Sequence, residues 1–247
     1  MHKKGSPSIK RMFSAIAGRY DLLNWLLSFG IDIKWRRELA LEMPTEEKGV
    51  ALDLATGTGN VALTLMKNHG HWKIIGADFA IPMLRIAREK LRTRSVEGLF
   101  LTAGDAMSMP FSDSTFNAIT IAFGIRNLPD RTWALAEMNR VMEPGGRLII
   151  LEFSRMDRPV IGHAFRLYFH SILPFLGGII SGNPGAYRYL PRSVDDFPDP
   201  EGLCNEMRKA GFKDVRNRPL TCGIAYLHVG DKHRELEEGK REEGFEL

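Results

Sequence analysis

The chain has 247 residues, 44% of them hydrophobic and 26% charged, the proportions of a globular protein and not of a disordered, collagen-like or disulfide-stapled one. Its formal charge of +4 is unevenly placed. Residues 1–11 hold four bases and no acid, residues 231–247 hold seven acids against four bases, and +3 is left over the 219 residues between. A body so nearly neutral speaks against a polyanion-binding domain, so no nucleic-acid partner is expected.

Cys204 and Cys222 are the only cysteines. Two without ligand spacing make neither a disulfide framework nor a zinc site, so no metal is expected and a reducing interior is. The polar start and the punctuation of the next segment by Arg19, Asp21 and Asn24 give no signal-peptide run. The expected location is therefore cytoplasmic, with the basic head either in peripheral contact with the inner face of a membrane or a solvated, disordered start. Val160–Ile180 is the greasiest stretch, but His163, Arg166, His170, Pro174, Gly177 and Gly178 interrupt it. It reads as a helix of a soluble protein and not as a span, which needs about 20 mostly apolar residues.

In chain order, Ser8–Leu41 predicts a helical opening. Val50–Leu54, Lys73–Ala77, Leu99–Thr102, Phe116–Ala122 and Arg147–Phe153 predict strands, with helices at Val61–Lys67, Pro82–Leu91 and Arg131–Val141. Strands alternating with helices predict a parallel sheet with helices on both faces. An insertion rich in Pro, Gly and aromatic residues follows to Pro200, then a helix over Glu201–Ala210 and a hairpin of Val215–Leu220 with Ile224–Val229. Together these predict one domain: helical segment 1–47, core 48–153, insertion 154–200, final helix and hairpin 201–230, and a charged tail 231–247 expected to be disordered.

The sharpest motif is Leu52-Asp53-Leu54-Ala55-Thr56-Gly57-Thr58-Gly59-Asn60, a strand ending in an acid and a glycine turn that opens a helix. Glycine lets a backbone approach a ligand closely. Asp78 ends the second strand twenty residues after Thr58, where an acid of a doubly wound sheet accepts hydrogen bonds from ribose hydroxyls. That spacing also suits NAD, but the turn lacks the third glycine of the pyrophosphate fingerprint. Gly104-Asp105-Ala106 closes the third strand, where a carboxylate can take an adenine amino group; the alternative for Asp105 is a turn or cap.

These three strand ends, with Met142-Glu143-Pro144-Gly145-Gly146-Arg147, resemble a class I S-adenosylmethionine-dependent methyltransferase. The resemblance implies a doubly wound, Rossmann-like sheet of seven strands whose last is antiparallel. It also implies S-adenosyl-L-methionine as cofactor, held by Asp53, Gly57, Thr58, Gly59, Asp78, Asp105 and Ala106. Four further segments resemble the quinone C-methyltransferases of menaquinone and ubiquinone biosynthesis: Arg19-Tyr20-Asp21-Leu22-Leu23-Asn24 with Leu27-Ser28-Phe29-Gly30 and Trp35-Arg36, Phe123-Gly124-Ile125-Arg126-Asn127, Arg140 through Ser154, and Tyr189-Leu190-Pro191 with Phe197-Pro198. Ala122 departs from the pattern, since many relatives have a cofactor-touching Ser there, and it is left out of the expected site.

That family implies C-methylation of a prenylated quinol, demethylmenaquinol by analogy with its simplest members, with a methoxy-benzoquinol acceptor or N- or O-methylation as alternatives. A noncatalytic module keeping the cofactor fold is the reading from another class. A quinol ring carbon is a weak nucleophile until a phenolic proton leaves. Arg126, just after the fourth strand at the mouth of the sheet, is the expected catalytic residue, stabilising the phenolate directly or through a water. Tyr20 and Asn24, at helical spacing, and Tyr189 are expected to bind substrate. His163 and His170 are candidate bases whose alternative is a local structural role. Trp25, Phe29, Trp35, Phe165, Tyr168, Phe169 and Phe175 are expected either as core or as a channel for the prenyl tail. Oligomeric state is open.

Overall fold

A computed structural model describes residues 7–155, 167–172 and 184–234. Seven strands form one sheet: β1 (Val50–Leu54), β2 (Lys73–Asp78), β3 (Leu99–Ala103), β4 (Phe116–Ala122), β5 (Met142–Phe153), β6 (Phe212–Leu220) and β7 (Ala225–Lys232). They lie in the order β3-β2-β1-β4-β5-β7-β6, with β7 antiparallel to both of its neighbours. The expected sheet with its antiparallel last strand is thus present. Strand order reverses between β1 and β4, whose carboxyl ends open the crevice where doubly wound sheets bind ligands.

The parallel strands carry apolar residues on both faces because both faces are covered. One core packs Leu52, Phe116 and Ile150 against α6 (Arg131–Val141) and α7 (Pro200–Lys209), and the other packs Ile74 and Ile149 against α3 (Ile31–Leu41) and α4 (Asn60–Asn68). Side chains fix the starts of two of these helices. Asp130 accepts the Trp133 N–H at 2.9 Å and Asp199 accepts the Gly202 N–H at 2.6 Å.

The predicted helical opening is three helices and a turn: α1 (Pro7–Ile16), a 3-10 turn (Ala17–Arg19), α2 (Tyr20–Leu27) and α3. The break before α3 comes where Phe29 and Gly30 take φ of 52° and 74°, a left-handed pair that an α-helix cannot contain. β5 begins at Met142 and not at Arg147, because Met142 pairs with Phe116 before residues 143–146 bulge out and pairing resumes between Arg147 and Ala118.

The tail also begins later than expected. Asp231 and Lys232 belong to β7; Asp231 pairs with Arg147 at 2.7 Å, and the Lys232 ammonium donates to the carbonyls of Asn139 and Met142. Charge density alone hid a strand whose charged ends have fixed partners. Residues 235–247 lie outside the described residues, as does most of Val160–Ile180, where Tyr168–Ile172 forms a single π-helical turn. No helix of the described residues is long and apolar enough to cross a membrane.

Candidate active site

The glycine turn after β1 is built by hydrogen bonds that run away from the crevice. Asp53 is buried, and its two carboxylate oxygens accept the hydroxyls of Thr56 at 2.5 Å and Thr120 at 2.8 Å. Burial pushes its carboxyl up to about 6. Gly59 takes φ of 81°, and a Cβ there would sit 3.2 Å from that of Ala87 on α5 (Ile81–Arg94), so only glycine starts α4 this close. The Thr58 hydroxyl donates to Asp21 at 2.6 Å.

Asp53, Thr58 and Gly59, also expected to touch cofactor, stand behind Gly57 and are not among the residues lining the crevice. They shape the turn from behind, because a Gly-x-Gly turn exposes one edge of its backbone and buries the other.

The exposed edge bounds a crevice whose empty space, open solvent included, is about 770 Å³. Gly57, Asp78, Asp105 and Ala106 line it as expected, and Ala122 lines it too despite having been left out. Asp78 accepts the N–H groups of Gly57 at 2.8 Å and Ala80 at 2.7 Å. It is nearly buried, and burial raises its carboxyl above the ordinary value against those two N–H groups. Asp105 accepts the Met107 N–H at 3.0 Å.

A second cavity, about 1240 Å³ with open solvent included, lies under α1–α3. Met12, Phe13, Ile16, Trp35, Phe153 and Phe169 make it apolar; Tyr20, Asn24, Ser28, Asp32, Arg36, Arg126 and Tyr189 are its polar groups. All three expected substrate residues are therefore in one place. Phe13, Tyr20 and Phe123 line both cavities, so the two meet at these side chains. Tyr20 hydrogen-bonds Asn24, and burial raises its phenol. Phe123 holds a left-handed φ of 55°, which costs roughly 1–2 kcal/mol for a residue with a Cβ and so marks a site where the fold imposes the backbone.

Arg126 stands on the turn after β4 and does not face the second cavity as a lone cation. Its Nη1 lies 2.5 Å from Glu152 Oε1, with both side chains buried, and donates to the Phe123 carbonyl at 2.8 Å. Its Nε donates to Ser193 at 3.3 Å and its guanidinium stacks 5.5 Å over the Phe153 ring. Burial pushes the Glu152 carboxyl up and Arg126 pulls it back. The Tyr189 hydroxyl donates to Asn127 beside this pair at 3.0 Å. Reading the residues singly missed Glu152, although the run Leu151-Glu152-Phe153 ends a strand in an acid just as β1 and β2 do.

The aromatic residues divide. Phe29, Trp35, Tyr168 and Phe169 line the second cavity, whereas Trp25 does not. His170 does not line it either; it sits 3.7 Å from Asp195 with a partly exposed ring, which removes it from the candidate bases. His163, Phe165 and Phe175 lie outside the described residues. Asp21, next to Tyr20 in the chain, points the other way. It accepts from Thr58 and from Asn60 at 2.8 Å and pairs with Lys90 of α5 at 2.5 Å, fastening α2 to the glycine turn.

Comparison with known proteins decides what this pair of cavities belongs to. The sequence model of the ubiE/COQ5 methyltransferase family matches residues 1–232. The chain belongs to that family. It is 54% identical over 224 residues to a demethylmenaquinone methyltransferase of Thermus thermophilus, covering 90% of this chain and 100% of that protein. It is 48% identical to one from Deinococcus radiodurans, covering 91% and 92%. A ubiquinone/menaquinone biosynthesis C-methyltransferase of Geobacter sulfurreducens is 43% identical, covering 91% and 88%.

Among solved structures, a methyltransferase of Thermotoga maritima, described as a possible histamine N-methyltransferase, superposes with a TM-score of 0.64 at 20% identity, covering 90% of this chain and 98% of that one. At that identity it shows the fold that this ubiE/COQ5 member shares and nothing about its acceptor.

Proposed function

We propose that the protein transfers a methyl group from S-adenosyl-L-methionine to a ring carbon of demethylmenaquinol. The observation that carries this reading is the 54% identity to a demethylmenaquinone methyltransferase across nine-tenths of the chain.

The first cavity suits the cofactor. Asp78 is a nearly buried carboxylate on the cavity wall with no cation within ion-pair distance among the described residues, and its two N–H bonds leave lone pairs for a diol. Asp105 is placed for an amino group, and Gly57 and Ala106 put backbone against the ligand. When bound, S-adenosylmethionine supplies a methyl on a positively charged sulfur, already activated for transfer.

The chain's own residues then have to position and shield. The shared wall of Phe13, Tyr20 and Phe123 sets where donor and acceptor meet, and positioning at near-attack distance accounts for several kcal/mol of a barrier. At the acceptor end, Arg126 is held by Glu152, Ser193 and the Phe123 carbonyl through Nε and Nη1, and its Nη2 has no hydrogen bond among the described residues. That edge faces an acceptor oxygen and stabilises it as the phenolic proton leaves; Glu152 fixes the guanidinium where it is needed. The ring carbon gains the methyl and loses its hydrogen as a proton, which restores the aromatic ring.

The apolar walls of the second cavity take the prenyl tail, at about 0.8 kcal/mol per buried methylene. We place the protein in the cytoplasm in peripheral contact with the membrane that holds such an acceptor, a reading supported by the four bases of residues 1–11.

The quinones of cells lacking the protein, read by mass, test the reading. A naphthoquinone lacking one methyl should accumulate and revert on complementation. Accumulation of an unmethylated benzoquinone would move the acceptor to the ubiquinone branch, and an unchanged quinone pool would overturn the proposal.

A further inference from the structure

The outer face of α2 is unusual for a protein surface. Leu22, Trp25 and Leu26, at helical spacing, and Phe29, just beyond the end of α2, are 57%, 52%, 39% and 77% exposed. Phe29 is at once the most exposed of them and a wall of the second cavity, with its ring 5.9 Å from that of Tyr168, another wall. Across that contact Leu167 and Ile172 are also exposed, at 63% and 43%. An apolar ridge therefore flanks the place where the large apolar cavity reaches the surface.

Bases outnumber acids along the helices that carry the ridge. Residues 7–41 contain six bases and three acids. Each of the acids is engaged: Asp21 with Lys90, Asp32 with Arg36, and Glu38 with Arg218. Lys34 and Arg37 remain exposed beside the exposed Ile33.

We propose that this ridge docks into the headgroup region of an anionic lipid bilayer, with the mouth of the cavity beside the exposed Phe29 facing the lipid. The proposal rests on the reading above that the acceptor carries a prenyl tail. Such a tail enters the cavity directly from lipid through a mouth seated in the interface, whereas a mouth in water would expose every methylene on the way. A rigid protein covering the ridge would close that mouth; a fluid lipid surface leaves it open. Exposed Trp and Leu on one helix face beside exposed bases is the composition of an interfacial helix.

The test uses the full chain with vesicles of phosphatidylcholine alone or mixed equally with phosphatidylglycerol, each prepared with and without chain-brominated lipid. The protein should sediment with the mixed vesicles, and bromine should quench part of its tryptophan emission. Trp35 and Trp72 are buried, and Trp133, 39% exposed, stands on α6 in the helix layer across the sheet from α3, so Trp25→Phe should remove most of that quenching. The double variant Leu22→Ser/Leu26→Ser should lower vesicle partitioning about tenfold. It should slow methylation of a long-tailed quinol embedded in vesicles while leaving that of a tail-less quinol in water unchanged. Lys34→Glu/Arg37→Glu should weaken binding to the mixed vesicles only.

Vesicle binding that is absent, or equal in the Leu variant, overturns the proposal. So does a dimer in sedimentation equilibrium that the Leu variant dissolves while vesicles go unbound, since the ridge would then cover a second copy of the chain. If vesicles bind and quench as expected but no quinol is methylated, the acceptor reading fails and the docking face stands.

Discussion

Arg126 and Glu152 form an ion pair with 2.5 Å between Nη1 and Oε1, their side chains only 6% and 0% exposed. Two charges taken out of water hold each other at a fixed geometry, and removing either one strands the other, at a cost of about 3–5 kcal/mol. Arg126→Ala should therefore lose both stability in urea unfolding and turnover. Adding Glu152→Gln to it should restore most of the stability and none of the turnover. If the double variant recovers activity, Arg126 is a structural cation and not the group that meets the acceptor.

Asp78→Asn should weaken donor binding by roughly 1.5–3 kcal/mol, tenfold or more in Kd, since a charged acceptor on the cavity wall is replaced by a neutral one. Titration calorimetry with S-adenosylmethionine measures it. Because burial raises the Asp78 carboxyl, donor affinity in the natural protein should fall as acid protonates that group, and the variant should lack this pH dependence. Unchanged affinity in the variant would remove Asp78 from the donor site.

Tyr20→Phe keeps the ring that walls both cavities and deletes the hydroxyl bonded to Asn24. We expect kcat to fall about tenfold with little change in donor KM. A KM effect without a kcat effect would put the hydroxyl on the donor alone.

Asp21 fastens α2, and with it Tyr20, to Thr58, Asn60 and Lys90. Asp21→Ala should loosen the helix from the glycine turn, seen as faster amide exchange across Tyr20–Leu27, and should raise donor KM several-fold. Lys90→Ala in the Asp21→Ala background should add little, because the two belong to one network. Additive losses would mean the residues act separately.

His228 is buried on β7 with both ring nitrogens unpartnered among the described residues, and burial lowers its pKa from 6.5 to about 4. The unfolded chain then binds a proton between these values that the folded chain refuses. This contribution to stability is intact above pH 6.5 and is lost as pH falls toward 4, up to about 3 kcal/mol. Asp53 has the opposite sign. Its raised pKa of about 6 makes the folded state bind the extra proton, so its contribution falls as pH rises from about 4 to 6. The two offset each other in the natural protein. His228→Leu should therefore gain stability relative to it as pH is lowered through this window, and urea unfolding at a series of pH values that shows a constant difference would refute the assignment.

The alternation of buried strands and amphipathic helices was legible in the chain because burial on both faces forces continuous apolar runs, and the sheet follows from it. The motif around Gly57 was legible for the same kind of reason, since backbone that must approach a ligand allows few residues. Asp78 and Asp105 followed from their places at strand ends. What the chain order does not contain is which way a side chain points once helices from elsewhere are laid over the crevice. Asp53 and Asp78 both end a strand, yet one turns behind the glycine loop and the other onto the cavity wall. Asp21 and Tyr20 are neighbours, yet one grips the loop and the other separates two cavities. Arg126 meets Glu152 only because β4 and β5 lie side by side, twenty-six residues apart in sequence. Local composition determined the fold and the kind of ligand; non-local packing decided which of the candidate residues line the cavities.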